Sequence, residues 1–133
     1  MNKFAVVTWA SGNEFCHSSG FKVYLNSLKN INNTDYFVLT CEMPQEVREN
    51  LNNRNIKVVD VNPDDMWLIV RDRNLAYSNW LISNNNYETY LFSDCKDVLF
   101  QKDPFEWYGN QSHKIVLVSE GFVHDQSPWN TND

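Results

Sequence analysis

The sequence predicts an α/β protein with a mostly parallel sheet and helices on both faces, and three observations predict it. Apolar runs of about four to six residues recur along the chain, the length and composition of strands buried on both sides. Between them lie segments whose apolar residues repeat at steps of three and four, the spacing of one helical face. No internal repeat and no linker interrupts this alternation, so residues 1–133 are expected to form one domain.

Phe4-Ala5-Val6-Val7-Thr8 reads as the first strand, ended by Ser11-Gly12-Asn13. Phe21, Tyr24, Leu25, Leu28 and Ile31 mark a helix that Ser18 or Ser19 caps and the Asn-rich stretch Asn30–Asn33 stops. Asp35–Thr40 is the second strand. Pro44 opens a short helix through Leu51, with Glu46 near its positive end. Ile56–Val61 is the third strand, closed by Asn62-Pro63. From about Val70 to Ser83, Leu75, Tyr77, Trp80 and Leu81 suggest a second long helix. Thr89–Ser93 and Ile115–Ser119 complete a set of five strands. Parallel strands need crossovers, which are almost always right-handed, so the layout is Rossmann-like.

Composition narrows the function. A hydrophobic fraction of 42% with 21% charged residues is that of a globular domain, and 14% aromatic content argues against disorder. The net charge of −6, without a Lys/Arg block, leaves no means of neutralising a phosphate backbone, so nucleic acid is not an expected partner. No segment approaches the roughly 20 apolar residues of a membrane span. Phe4–Ala10 is too short and too poorly flanked by positive charge for a signal peptide. Cys16, Cys41 and Cys95 are odd in number and lack zinc-ligand spacing. A reduced, cytoplasmic or otherwise intracellular chain is the expectation.

Open α/β sheets bind ligands beyond the carboxyl ends of their strands. That rule nominates Thr8–Asn13, Thr40–Glu42, Asp60–Asn62, Asp94–Asp97 and Ser119–Gly121. A dinucleotide is not indicated, because no G-x-G-x-x-G follows the first strand, and no P-loop is present. A phosphorylated ligand would therefore need another source of positive charge. Ser93-Asp94-Cys95-Lys96-Asp97 offers one: if the strand ends at Asp94 and turns, Asp94 and Asp97 can converge on one hard divalent cation. Mg²⁺ or Mn²⁺ takes oxygen ligands, and one or two carboxylates plus phosphate oxygens suffice.

The segment Leu91-Phe92-Ser93-Asp94-Cys95-Lys96-Asp97-Val98-Leu99-Phe100-Gln101-Lys102-Asp103-Pro104-Phe105 resembles the metal-site segment of certain GT-A-fold glycosyltransferases. There a hydrophobic strand runs into Asp-x-Arg-Asp-Val-x-Phe-Gln-x-Asp-Pro-Phe, a variant of the Asp-x-Asp motif. Lys96 stands where that pattern has Arg, replacing a bidentate donor with a point charge. The loop Thr8–Asn13 is similar to the family's uridine-ribose loop, and Arg73 with Tyr77 to its Arg-x-x-x-Tyr helix. Positions i and i+4 share a helical face, so both could reach the ligand.

The resemblance implies a glycosyltransferase of GT-A type that uses a nucleotide-diphosphate sugar, with a UDP-sugar as the expected donor and a glycan or protein as acceptor. It implies Mn²⁺ or Mg²⁺ at Asp94 and Asp97. Thr8, Ser11, Asp60, Arg73, Tyr77 and Lys96 are then the donor-binding candidates, with Glu120 as a candidate base. The chain reads as the nucleotide-binding part, incomplete at its C-terminus, with the acceptor half largely missing. A relative that binds nucleotide without turnover is the alternative. A phosphotransfer receiver is disfavoured, because no acidic pair follows the first strand. Cys95 is expected to be a packing residue, and His17, His113 and His124 show no mutual ligand spacing.

Overall fold

The computed structural model describes residues 2–62 and 69–108. Four strands form one sheet: β1 (Phe4–Trp9), β2 (Thr34–Thr40), β3 (Ile56–Asp60) and β4 (Thr89–Phe92). Their order is β3-β2-β1-β4, and every pairing is parallel. The expected α/β class and Rossmann-like sheet are thus present. The expected fifth strand, Ile115–Ser119, lies outside the described residues, as do Glu120, His113 and His124.

The helices are α1 (Asn13–Cys16), α2 (Ser19–Ser27), α3 (Gln45–Asn53), α4 (Ile69–Ser83) and α5 (Phe105–Tyr108). Several of their ends have a chemical cause. Ser18 caps α2 by accepting from the Phe21 amide, and a 3-10 turn at Leu28–Asn30 tightens its exit. Asn33 and Asn55 take left-handed φ values of 58° and 60°, where asparagine is tolerated better than most residues. The first lets the chain enter β2, and the second turns it from α3 into β3. Asp103 accepts from the Phe105 amide at 2.9 Å, setting the start of α5 as its Asp-Pro-Phe spacing predicts. The short helix α1 is an element the periodicity does not announce.

Alternation along the strands makes two cores. Val6, Val38, Ile56 and Leu91 face the layer of α2 and α3, where Phe21, Tyr24, Leu25 and Leu51 are buried. Ala5, Val7, Trp9, Phe37 and Leu39 face the other side and meet α4 through Ala76 and Trp80. The buried line of α4 is therefore Asp72, Ala76 and Trp80, spaced by four, while Leu75 is 55% exposed. Among the described residues no helix is long and apolar enough to cross a membrane.

The chain after β4 returns beneath the first core. Phe105 stacks on Phe4 with centroids 4.5 Å apart, and Phe100 leans on Tyr24 at 5.8 Å. The Asn30 amide donates to the Phe100 carbonyl at 2.6 Å, and Asp103 accepts from the Asn32 amide at 3.1 Å. The Phe-Gln-x-Asp-Pro-Phe extension is thus a clasp that fixes the loop holding Asp94–Asp97.

Candidate functional site

The sheet order has a reversal point. From β1 the chain builds outward through β2 to β3, then crosses back so that β4 lies on the opposite side of β1. That reversal makes the carboxyl ends of β1 and β4 the switch point of the sheet, the place where open α/β sheets bind ligands. The amide of Ser93 donates to the Val7 carbonyl at 3.1 Å. The hydroxyl of Thr8 then donates to the Ser93 carbonyl at 2.7 Å, and the Cys95 thiol donates to the Trp9 carbonyl at 3.2 Å. The strand is thereby held at its end, and the chain turns so that Asp94 emerges exposed while Cys95 is buried beneath it.

Helix α4 supplies the cation. Its Ala76–Trp80 line is fixed on the sheet, which puts Arg73 and Tyr77 beside the end of β4. Tyr77 packs on Phe92 with centroids 5.1 Å apart. Arg73 Nη1 lies 2.9 Å from Asp94 Oδ1, with the arginine side chain 29% exposed and the carboxylate 57% exposed. Arg73 Nε is a buried donor of this cluster without a hydrogen-bond partner among the described residues, while the Ser93 hydroxyl lies against the Tyr24 phenol.

The other titratable groups here are held uncharged. Burial pushes the Cys95 thiol up to about 12, with Asp94 adding to the effect. Burial also raises the Tyr77 hydroxyl to about 12, against the opposing pull of Arg73. Neither residue is a nucleophile or base at neutral pH. Arg73 and Asp94 are paired charges here, and Lys96 and Asp97 are exposed on the same loop as Asp94.

The loop is also pressed against α2. A Cβ on Gly20 would stand 1.9 Å from the Lys96 carbonyl oxygen, so only glycine permits this approach. The first turn of α2 is thereby covered by backbone of the loop that carries the two aspartates.

The structure brings Thr8, Arg73, Tyr77, Asp94, Lys96 and Asp97 to one end of the β1–β4 pair. Thr8 is fully buried, so its hydroxyl serves the loop. Ser11 is committed as well: its Oγ accepts from the amides of Cys41 and Glu42 at 3.2 and 2.9 Å, joining the loops after β1 and β2. Asp60 sits on the far edge strand and forms a two-pronged pair with Arg48 of α3 at 2.9 and 3.0 Å. Sequence reasoning missed Ser93 and Gly20. A glycine inside a helical run signals a packing reason, whereas nothing local marks Ser93 as the residue whose carbonyl Thr8 holds.

A divalent cation fits this donor set in part. Among the described residues no group of three or more His, Cys, Asp or Glu side chains could enclose a metal. Two exposed carboxylates on a braced loop do suit a hard ion that completes its shell with ligand phosphates and water. Two open grooves of about 360 and 260 Å³ lie elsewhere, along α2, α3 and the edge of β3, and neither touches the Asp94 loop. No family model matches the chain, and neither does any curated protein or solved structure.

Proposed function

We propose that the crevice between β1 and β4 binds a nucleotide-diphosphate sugar with Mn²⁺ or Mg²⁺ and that the protein is a glycosyltransferase. The observation that carries the reading is the pairing of exposed Asp94 with Arg73 at the sheet's switch point. The resemblance of Asp94–Phe105 to a glycosyltransferase metal segment supplies the sugar chemistry.

In this reading Asp94 and Asp97 hold the cation, which neutralises charge on the departing diphosphate as a Lewis acid. Arg73 and Lys96 contribute fixed positive charge to the same leaving group. Tyr77, kept neutral by burial, offers a ring beside the nucleotide. A UDP-sugar is the proposed donor, and the acceptor is a glycan or protein hydroxyl. An acidic chain accepts so negative a ligand because the cation separates the two sets of charge.

The test is turnover. Release of UDP from a panel of UDP-sugars should require Mn²⁺ or Mg²⁺ and fall at least about 100-fold in Asp94→Asn, the scale of losing a transition-state charge contact. Metal-dependent binding of UDP without release from any donor would leave a nucleotide-binding module, and no binding would end the proposal.

A further inference from the structure

Two grooves on the face of α2 and α3, of about 360 and 260 Å³, share Leu25, Asn26 and Arg54 and so adjoin along the space between the two helices. The floor is apolar. Leu25, Leu28, Ile31 and Ile56 are recessed to 8% exposure or less, and Tyr36 lies among them with its hydroxyl spent on the Leu28 and Ile31 carbonyls. The rim is cationic. Lys22, Lys29 and Arg54 line it and are exposed, and none of the three forms an ion pair among the described residues. The acid on the lining, Glu46, is held by His17 at 2.9 Å. In a chain of net charge −6, this is a local excess of positive charge.

Arg54 is the central group. It lines both grooves, and its Nη2 donates across to Asn26 Oδ1 of α2 at 3.3 Å, a long bond to a neutral acceptor. A carboxylate would offer that guanidinium two charge-assisted bonds in place of one weak one. Asn26 and Asn50 are exposed amides of the lining, and a primary amide presents the donor and the acceptor that match a peptide group.

We propose that this groove docks an acidic peptide segment of a partner protein, with one carboxylate on Arg54, further acids on Lys22 and Lys29, and apolar side chains on the floor. The apolar residues are recessed while the cations are exposed, so an extended chain can reach both and a flat lipid surface cannot. A free anion would meet the cations and leave the floor and the two amides unused. The lining includes no residue of the Asp94–Asp97 loop, so the docking stands apart from the donor-site reading.

The test titrates the full chain into a fluorescein-labelled short peptide of alternating leucine and glutamate, read by anisotropy. Leucine–lysine and serine–glutamate peptides of the same length stand beside it. The leucine–glutamate peptide should bind, more weakly as salt rises, because exposed charges are screened. The lysine peptide should not bind, and the serine peptide should bind at least about three-fold more weakly for want of apolar burial. Arg54→Gln should weaken binding about five-fold, the upper range of an exposed ion pair. Lys57→Gln removes the same charge where Lys57 lies over the Phe37 ring, on the other face of the sheet, and should change nothing. Thermal melts establish that the variants are folded. If Arg54→Gln does not fold, Lys22→Gln combined with Lys29→Gln carries the same comparison. No binding of the leucine–glutamate peptide, equal binding of the lysine peptide, or equal losses in the Arg54 and Lys57 variants would overturn the proposal. Without peptide binding, an Arg54-dependent association with phosphatidylserine vesicles, or of the chain with itself, would assign the groove to a membrane or to a second copy instead.

Discussion

The hydroxyl of Thr8 donates to the Ser93 carbonyl at 2.7 Å, joining the ends of two strands that lie 85 residues apart in sequence. This bond crosses the switch point of the sheet and sets the direction in which the chain leaves β4. Thr8 is fully buried, so no water replaces the bond if the hydroxyl is lost. Thr8→Val should cost about 1–3 kcal/mol, the range for orphaning a buried partner. Thr8→Ser, which retains the donor, should cost less. Urea denaturation of the two variants checks the order, and equal losses would assign the effect to the missing methyl packing instead.

Gly20 sets a second constraint on the loop. In an open helix Gly→Ala gains about 1 kcal/mol from helix propensity. Here the new Cβ meets the Lys96 carbonyl at 1.9 Å, and overpacking against backbone costs about 1–3 kcal/mol. Gly20→Ala is expected to lower the melting temperature and to weaken Mn²⁺ binding, because the displaced loop carries Asp94 and Asp97. A stabilised variant with unchanged metal affinity would show that the contact yields easily.

These two constraints show what sequence could and could not reveal. The strands are legible because each is buried on both faces and so reads as an apolar run. The Ser18 and Asp103 caps are legible because a short polar side chain precedes the helix it starts. The candidate site is legible because strand order and a motif point to the same end of the sheet. Less was legible where long-range packing decides. Helix α4 buries Ala76 rather than Leu75, a rotation of one residue set by the Trp80–Phe37 contact at 4.7 Å. The engagement of Ser11 with the Cys41–Glu42 backbone and of Asp60 with Arg48 depends on neighbours that the fold alone brings near. Asp94 and Arg73 are each candidates from the sequence alone, yet their ion pair with one another is a property of the folded chain.

The thiols should differ sharply in reactivity. Cys95 is 1% exposed and its thiol is raised to about 12, and burial raises that of Cys16 too. Cys41 is only half-buried. Iodoacetamide at about pH 8, near the ordinary thiol pKa, should modify Cys41 first, with Cys16 and Cys95 reacting on unfolding. Mass spectrometry of native and urea-treated protein reads the result. Fast native labelling of Cys95 would mean that the floor beneath Asp94 opens.

Acid should release one specific link between the sheet and the segment before β4. Tyr87 donates to Asp35 Oδ2 at 2.5 Å and Asn2 donates to Oδ1 at 2.8 Å. Burial opposes ionisation of Asp35, but these bonds and nearby Lys57 prevail and hold its carboxyl below the usual range. A depressed folded pKa contributes stability above the unfolded value of about 3.9 and loses it as pH falls through the folded value. Tyr87→Phe should therefore cost about 1–2 kcal/mol at neutral pH. That difference from wild type should shrink below about pH 4. A difference independent of pH would assign the loss to ring packing.

If Asp94 anchors a metal-bound nucleotide diphosphate between β1 and β4, as proposed, the binding of UDP depends on both the carboxylate and the metal. The most direct measurement is a calorimetric titration of the chain with UDP, with and without Mn²⁺, repeated on Asp94→Asn. Binding should require the metal and be lost in the variant. Equal binding by both proteins, or no binding with Mn²⁺ present, would contradict it.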